Sequence, residues 1–300
     1  MEFGKVAVLM GGKAAEREVS LRSGQAVTDA LIRQGIDATA CDVHSIEQLT
    51  VIANTYDRAF IALHGRWGED GTVQAILDDL NFPYTGSGMA SSAIAMDKLR
   101  TKWLWQGAGL PTPQFLHVSS SRPFIAEAFS IPFPVIVKPS HEGSSIGMRK
   151  VNQLGDLQEA VDFAQQFDSE VLIEQWVTGS EYTVAVLNGE ALPLIKLETT
   201  HDFYDFDAKY KSNDTQYICP CGLPTPLEQE IQSLTLQAFD VLGAKTWGRV
   251  DVMLDQQNRP WLIELNSVPG MTDHSLVPMA AAASGYSFEQ LVVAILKSTF

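Results

Sequence analysis

Two short runs near the C-terminus limit most tightly how this chain can fold. Trp247-Gly248-Arg249-Val250-Asp251-Val252-Met253-Leu254 is followed by a polar turn, Asp255-Gln256-Gln257-Asn258, and then by Trp261-Leu262-Ile263-Glu264-Leu265-Asn266. Both runs alternate, which marks them as strands. Residues two apart in a strand share a face. Arg249 and Asp251 therefore point one way, and so do Glu264 and Asn266. The short polar turn between the runs predicts a hairpin. If the faces match, one sheet surface carries two carboxylates, an amide oxygen and a guanidinium. Hard cations take oxygen ligands of this kind, and phosphates take the cations and the arginine. A solvated polar face on an ordinary hairpin alternates in the same way, so other parts of the chain must decide.

Three stretches favour a phosphate site. Phe133-Pro134-Val135-Ile136-Val137-Lys138 is an apolar strand that delivers a lysine into Pro139-Ser140-His141-Glu142-Gly143-Ser144-Ser145-Ile146-Gly147, a loop of mostly small residues. Backbone N–H groups and hydroxyls of such a loop can fold around phosphate oxygens. It is not a Walker A loop, because the lysine precedes the glycines and no helix pattern follows. Val171-Leu172-Ile173-Glu174-Gln175-Trp176-Val177 reads as a buried strand running into a polar segment with Gly179 and Glu181. Such a strand end suits an adenine edge and a ribose, although a plain core strand reads the same. The third stretch, about 199–222, is polar and aromatic without a period and holds Lys209-Tyr210-Lys211. Its aromatics (Phe203, Tyr204, Phe206, Tyr210, Tyr217) argue against disorder. Aperiodic loops longer than about 12–15 residues are often lids or binding loops, and a lid over a phosphate site is expected.

Composition narrows the partners. Acids outnumber Lys and Arg by 36 to 21 over 300 residues, for a net charge of −15. This disfavours nucleic acid and anionic membrane surfaces. Local cations still allow ATP. Cys41, Cys219 and Cys221 make no disulfide framework and read as free thiols in a reducing compartment. No leader pattern and no run of about 18 apolar residues is present, which predicts a cytoplasmic protein without a membrane span.

Lys5 to Met10 reads as a strand, turned by Gly11-Gly12 and followed by a helix pattern to about Arg33. Tyr56 to Leu63 is a second strand with glycines after it. Strand–glycine–helix units hold ligands at strand ends in open α/β sheets. Gly11-Gly12-Lys13-Ala14-Ala15-Glu16 is not a G-x-G-x-x-G fingerprint, so NAD is not expected. A helix carrying Asp97-Lys98, a joint with Pro111 and Pro113, and a terminal helix from Ser287 complete the outline.

Taken together, these residues resemble the ATP-grasp superfamily, and within it the D-alanine–D-alanine ligase family. The resemblance covers the whole chain. It is carried by Gly11-Gly12 with Ala15-Glu16-Arg17-Glu18-Val19-Ser20, by Ala62-Leu63-His64-Gly65-Arg66 with Gly68-Glu69-Asp70-Gly71, and by Pro83-Tyr84-Thr85-Gly86-Ser87-Gly88. Met96-Asp97-Lys98, Glu142-Gly143-Ser144-Ser145, Asp207-Ala208-Lys209-Tyr210 and Pro269-Gly270-Met271-Thr272 with His274-Ser275-Leu276 continue it. It implies an α/β fold: an N-terminal open parallel-sheet (Rossmann-like) domain over 1–87, a central ATP-grasp subdomain over 88–177, and a C-terminal one over 178–300 bearing the metal site and the lid. It implies ATP-dependent ligation of two D-alanines through a D-alanyl phosphate, feeding peptidoglycan synthesis, and a homodimer.

Residue roles follow from the same resemblance. Asp251, Glu264 and Asn266 match ligands of two Mg²⁺ ions, with Mn²⁺ as a substitute. The family usually reads Glu-Ala-Asn-Thr where this chain has Glu264-Leu265-Asn266-Ser267, which leaves the ligand positions intact. Lys98, Lys138 and Lys209 match phosphate-contacting lysines. Glu174, Gln175, Trp176 and Val177 fall at the adenine edge, Glu181 at the ribose, and Met253 under the purine. Many relatives carry lysine at the position of Gln175. Glu16 matches the residue that receives the first ammonium, in a web with Ser144 and Tyr210. His64 falls near the first carboxylate, and Lys209, Ser275 and Leu276 near the second. Arg249 and the Gly270 N–H match donors to the oxyanion. His44, His117 and His201 are expected at the surface, His141 receives no role, Glu142 is expected to be structural, and Arg17 a solvated helix start.

Two competing readings remain: a ligase of the same fold joining D-alanine to D-lactate or D-serine, and a non-catalytic ATP-binding protein. The hydroxyl of Tyr210 speaks against the lactate version. Tyr210→Phe is expected to lower dipeptide synthesis and to gain D-alanyl-D-lactate, most visibly below pH 7, where free amine is scarcest. Product analysis with both acceptors present at a series of pH values checks this; dipeptide alone at every pH would contradict it.

Overall fold

The computed structural model describes residues 2–143, 145–198, 215–272 and 275–300. Ser144, His201, Lys209, Tyr210, His274 and most of the expected lid lie outside the described residues.

Three sheets follow one another along the described chain. The first comprises β1 (Val6–Gly11), β2 (Ala38–Val43) and β3 (Arg58–Ile61), in the parallel order β2-β1-β3. Parallel strands need crossovers, supplied here by α1 (Arg17–Arg33) and α2 (Ile46–Ala53). Val6, Ala7, Val8 and Leu9 are all fully buried, as a strand covered on both faces requires. Gly11 and Gly12 take φ of +86° and +76°, a region glycine enters without a Cβ clash. A side chain at Gly11 would also run into Asp42 and Arg17. The turn thus delivers Glu16 to the start of α1.

The second sheet is antiparallel, in the order β4 (Phe115–Val118), β7 (Val171–Gln175), β5 (Val135–Pro139), β6 (Arg149–Val151). Helix α6 (Leu157–Ala164) buries Leu157, Ala160 and Val161 against it. The third sheet, also antiparallel, holds β8 (Gly179–Leu187), β9 (Glu190–Ala191), β10 (Ile195–Glu198), β11 (Gln216–Ile218), β12 (Trp247–Asp255) and β13 (Pro260–Asn266). Its order is β11-β10-β8-β12-β13, with β9 on β8. Helix α7 (Thr225–Val241) packs Ile231, Ala238 and Phe239 onto Val184, Val250 and Val252.

The predicted hairpin is present, and its register joins the faces. Arg249 pairs with Asn266 and Asp251 with Glu264. A β-bulge follows Asp251, so that Val252 pairs with Leu262. Bulges twist a strand and re-aim its side chains. This one lets the neighbours Ile263 and Glu264, which would otherwise alternate, both line the same cavity.

Elsewhere the structure departs from the sequence outline. The helix around Asp97-Lys98 is two helices, α4 (Met89–Met96) and α5 (Lys98–Gly107). Asp97 is extended (φ −90°, ψ 96°) and its carboxylate accepts from the Arg100 N–H, so it caps α5 instead of continuing α4. Residues 216–218, read as part of the aperiodic lid, form β11 and pair with β10. The first sheet does not close its core alone. Its cluster includes Leu187, Ile195 and Trp247 from the third sheet, and residues of α8 (Leu276–Ala283) and α9 (Phe288–Leu296). Ser287 caps α9 in a reciprocal capping box with Gln290. Among the described residues no single helix is long and apolar enough to cross a membrane.

Gly179, at the start of β8, faces β12 so closely that an added Cβ would run into the Leu254 carbonyl. A backbone oxygen in a sheet cannot swing aside as a side-chain tip can. Gly179→Ala is therefore expected to lower stability by ~1–3 kcal/mol, as overpacked sites do. A downward shift in the urea midpoint measures it.

Candidate active site

The second and third sheets enclose a cavity of about 660 Å³. Its apolar walls include Ile136, Met148, Trp176, Leu197, Met253 and Ile263. The polar lining comes from strand ends and the small-residue loop: Lys98, Lys138, Glu142, Gly143, Ser145, Lys150, Glu174, Gln175, Glu181, Lys196, Glu198, Asp251 and Glu264. Lys150 Nζ stacks over the Trp176 ring at 4.2 Å, a cation–π contact that holds the indole at the cavity wall.

Buried charges dominate the site. Lys98, the first residue of α5, donates to the Glu142 carbonyl at 2.7 Å and lies 3.5 Å from Glu264 Oε2. Lys138 donates to Glu174 Oε1 at 3.1 Å. The other oxygen of Glu174, Oε2, lies 2.6 Å from Lys102 Nζ. Burial pulls Lys102 down to about 8, against the upward pull of Glu174. Desolvated charges are tolerated only when paired, and here each faces an opposite charge.

On the hairpin, Asp251 accepts two bonds from Arg249, from Nε and Nη2, both at 2.8 Å. Thr183 Oγ1 donates to it at 2.7 Å and Asn266 Nδ2 at 3.2 Å. Asp251, Glu264 and Asn266 thus lie together across β12 and β13. Two carboxylates and an amide oxygen are the hard donor set a magnesium ion takes. Among the described residues no group of three His, Cys, Asp or Glu could hold a metal. An ion here would complete its shell with the Asn266 amide, water and phosphate oxygens.

The small-residue loop is tied down by a histidine. His141 Nδ1 lies 2.7 Å from Asp168 and Nε2 3.0 Å from Asp97. These two bonds, Asp168's first, raise His141 to about 9. Burial pushes Asp168 upward, but bonds from His141 and from the Glu170 and His141 amides outweigh it and hold it at about 2. Ser140 Oγ donates to Asp97 as well, at 3.0 Å. The cap of α5 and the loop are thereby one hydrogen-bonded unit.

A second cluster lies where the first region meets the loops of the others. Glu16 is buried, and its carboxylate lies against two glycines: a Cβ on Gly65 would run into Oε2, and one on Gly143 would come within 3.0 Å of Oε1. His64 Nδ1 lies 2.9 Å from the Val268 carbonyl and Nε2 3.0 Å from Ser23 Oγ. A carbonyl can only accept, so the geometry assigns the proton to Nδ1. Ser23 also accepts from the Met271 N–H at 3.1 Å. Glu69 is partly buried with Oε1 3.6 Å from His64 Nδ1, and desolvation is the main cause that raises its carboxyl. Ser275 Oγ accepts from the Thr272 N–H at 2.9 Å, and a Cβ on Gly270 would come within 2.9 Å of it. Leu276 is buried.

The structure brings the sequence-derived residues into two neighbourhoods. Lys98, Lys138, Glu174, Gln175, Trp176, Val177, Glu181, Met253, Asp251 and Glu264 line the cavity, with Arg249 and Asn266 bonded to Asp251. Glu16, His64, Gly270, Ser275 and Leu276 do not line it. Two expectations need correction. His117 is no surface residue: its side chain is 11% exposed and sits 2.9 Å from Glu170. His141, given no role, is the tie of the loop. Lys102, Thr183 and Asp168 were missed. The spacing of Lys98 and Lys102, one helical turn apart on one face, is the signal that could have found Lys102. His44 is exposed, Arg17 pairs with Asp42 in a half-exposed bridge, and Glu142 bridges to Arg66 at 2.8 Å.

Two antiparallel sheets closing on a cavity of paired lysines and carboxylates define an ATP-grasp protein. A structure of D-alanine–D-alanine ligase from Bacillus anthracis complexed with ATP matches with a TM-score of 0.89 at 30% identity, covering 99% of this chain and 97% of that one. The family model described as D-ala D-ala ligase N-terminus matches residues 45–87, and that described as D-ala D-ala ligase C-terminus matches 104–297. A D-alanine–D-alanine ligase from Hydrogenovibrio crunogenus is 70% identical over 297 residues, 99% of this chain and 95% of that protein. One from Pseudomonas putida is 56% identical, covering 98% and 92%. The chain belongs to the D-alanine–D-alanine ligase family.

The His141 tie carries a pH signature. A group whose folded pKa is raised stabilises fully below its unfolded value, about 6.5 for histidine, and loses that contribution as pH rises through the folded one, about 9. His141→Gln is therefore expected to flatten the decline of stability between pH 6.5 and 9 relative to the unsubstituted chain. Urea midpoints across that range test it; parallel declines in both proteins would contradict the tie.

Proposed function

We propose that this chain joins two D-alanines with ATP, forming D-alanyl-D-alanine, ADP and phosphate for peptidoglycan synthesis. The observation that carries this reading is the hairpin set, Arg249, Asp251, Glu264 and Asn266, in one register beside Lys98 and Lys138. The kinship to ligases of that name supplies the substrate.

In this reading Lys98 and Lys138 hold the phosphates of ATP. The strand end from Glu174 to Val177 meets the adenine edge, Glu181 the ribose, and Met253 underlies the purine. Asp251, Glu264 and Asn266 hold two magnesium ions, which neutralise charge on the transferring phosphoryl group when bound. Glu16 receives the ammonium of the first D-alanine, with Ser144 and Tyr210 as its partners. A carboxylate oxygen of that D-alanine bonds to the terminal phosphorus as its bond to the ADP oxygen breaks. The deprotonated amine of the second D-alanine then attacks the acyl carbon, and phosphate leaves with the C–O electron pair and takes up the proton that the amine nitrogen sheds as the amide forms. His64 lies toward the first carboxylate, and Lys209, Ser275 and Leu276 toward the second. Arg249 and the Gly270 N–H donate to the oxyanion, the kind of preorganised contact that contributes most to acyl transfer. The absence of a Cβ at Gly270 leaves Ser275 its space. Water must be kept out, since an acyl phosphate hydrolyses, and covering the site is the role this reading gives the expected lid, about 199–222, most of which lies outside the described residues. The domain limits 1–87, 88–177 and 178–300, a homodimeric state and a cytoplasmic location belong to the same proposal.

Phosphate release from ATP should require D-alanine and magnesium within a panel of single amino acids. Glu264→Gln removes a charge needed to hold the ions, whose stabilisation is worth several kcal/mol. The variant is expected to lose ~100-fold or more in dipeptide formation with an unchanged circular-dichroism spectrum. Near-normal turnover at ordinary magnesium would remove the metal assignment.

A further inference from the structure

Lys102 is the most completely buried charge in the cavity wall, with none of its side chain exposed. It does not itself line the cavity. Its ammonium lies 2.6 Å from Glu174 Oε2 and donates to Thr112 Oγ1 at 2.6 Å. The hydroxyl of Thr112 donates in turn to the Leu262 carbonyl at 2.9 Å. With its hydrogen on that carbonyl, Thr112 can only accept from Lys102. The Leu262 N–H also donates to the Pro111 carbonyl at 2.9 Å. The joint between α5 and β4 is thus bonded twice to β13, the strand that carries Glu264. Lys102 closes the chain of contacts from that strand to Glu174 on β7.

One cation would neutralise Glu174, yet two ammoniums meet it. Glu174 is 3% exposed, with Lys138 on Oε1 and Lys102 on Oε2. Were Lys138 its sole partner, the pair would cancel, and little of the lysine's charge would remain for phosphate. A second buried ammonium changes that sum. Lys102 and Lys98 share a face of α5 one turn apart, so one helix supplies the ammonium beside Glu264 and the ammonium behind Glu174.

We propose that Lys102 is a positioning residue for the nucleotide: it holds Glu174 as a fixed, ionised acceptor for an exocyclic amino group on the purine, and it leaves the charge of Lys138 available to phosphate. This rests on the reading that adenine lies at Glu174 and Gln175. It makes Lys102 a determinant of base choice that never touches the base. A purine with a 6-oxo group in place of the amine offers Glu174 an acceptor instead of a donor, and two acceptors repel.

The test compares ATP with inosine triphosphate as phosphoryl donor, at saturating D-alanine and magnesium, for the unsubstituted enzyme, Lys102→Met and Glu174→Gln. Lys102→Met is expected to raise KM for ATP ~10-fold or more, the scale of one charged hydrogen bond. It should leave kcat and KM for D-alanine nearly unchanged, and lower the ATP preference over inosine triphosphate by a similar factor. A merely structural lysine would lower stability or kcat without moving base preference. Should Glu174→Gln lose preference while Lys102→Met keeps it, the positioning role is overturned and the adenine assignment stands. Should neither variant lose preference, the adenine assignment falls and the proposal with it. If Lys102→Met proves unfolded by its urea midpoint, Thr112→Val decides. It retains the ammonium and removes its second anchor, and a smaller shift of ATP KM and base preference in the same direction is expected; no shift overturns the proposal.

Discussion

A carboxylate withdrawn from water must be met by positive charge, and Glu174 is met by two lysines that are themselves buried. Removing the carboxylate would leave two ammoniums stranded behind the wall of the cavity. The arrangement therefore depends on all three elements arriving together: β7 with Glu174, β5 with Lys138 and α5 with Lys102. The Asp97 cap that starts α5 is in turn held by His141 and bonded to Ser140, which flank the small-residue loop. A cap, a helix face and a loop are thus connected by charge, and the apolar core beneath them sets only where they stand.

The same economy of contacts shapes the hairpin. Arg249 and Asp251 satisfy one another through a bidentate pair, and Thr183 from β8 completes it. Planar guanidinium and carboxylate groups lock into one orientation in this way. The bulge after Asp251 then turns Ile263 and Glu264 toward the cavity together, so that an apolar wall and a charged ligand come from adjacent residues. The first region contributes through another route. Its core is completed by α8, α9 and residues of the third sheet, which brings Glu16 up against Gly143.

Much of this was legible along the chain. The alternation of 247–254 and 261–266 marked the strands and the polar face, because period two is a local property of extended backbone. The runs before Lys138 and before Gln175 were legible for another local reason, since a short continuous apolar stretch marks a strand buried on both faces. Less local features were not. Lys102 looks like any helical lysine; only the packing of α5 against the joint and β7 makes it buried. His117 has no motif around it, and His141 sits in a loop motif that gives it no role; their partners Asp97, Asp168 and Glu170 approach from other elements. Residues 216–218 have no apolar period, and they became a strand because β10 offered them an open edge.

Local order settled what the sequence alone could determine: which stretches extend, where the terminal helix begins at Ser287, which glycines free the backbone, and which residue types could meet phosphate and hard cations. These depend on neighbours within a turn or a strand, so they are written in consecutive residues. The tertiary structure decided which charges are buried and with whom they pair. It chose the register that sets Asp251 opposite Glu264, placed the bulge beside it, and gave Glu174 two cations instead of one. Those outcomes depend on distances between elements far apart in the chain, and on the cost of leaving a charge unpaired once the elements close on each other.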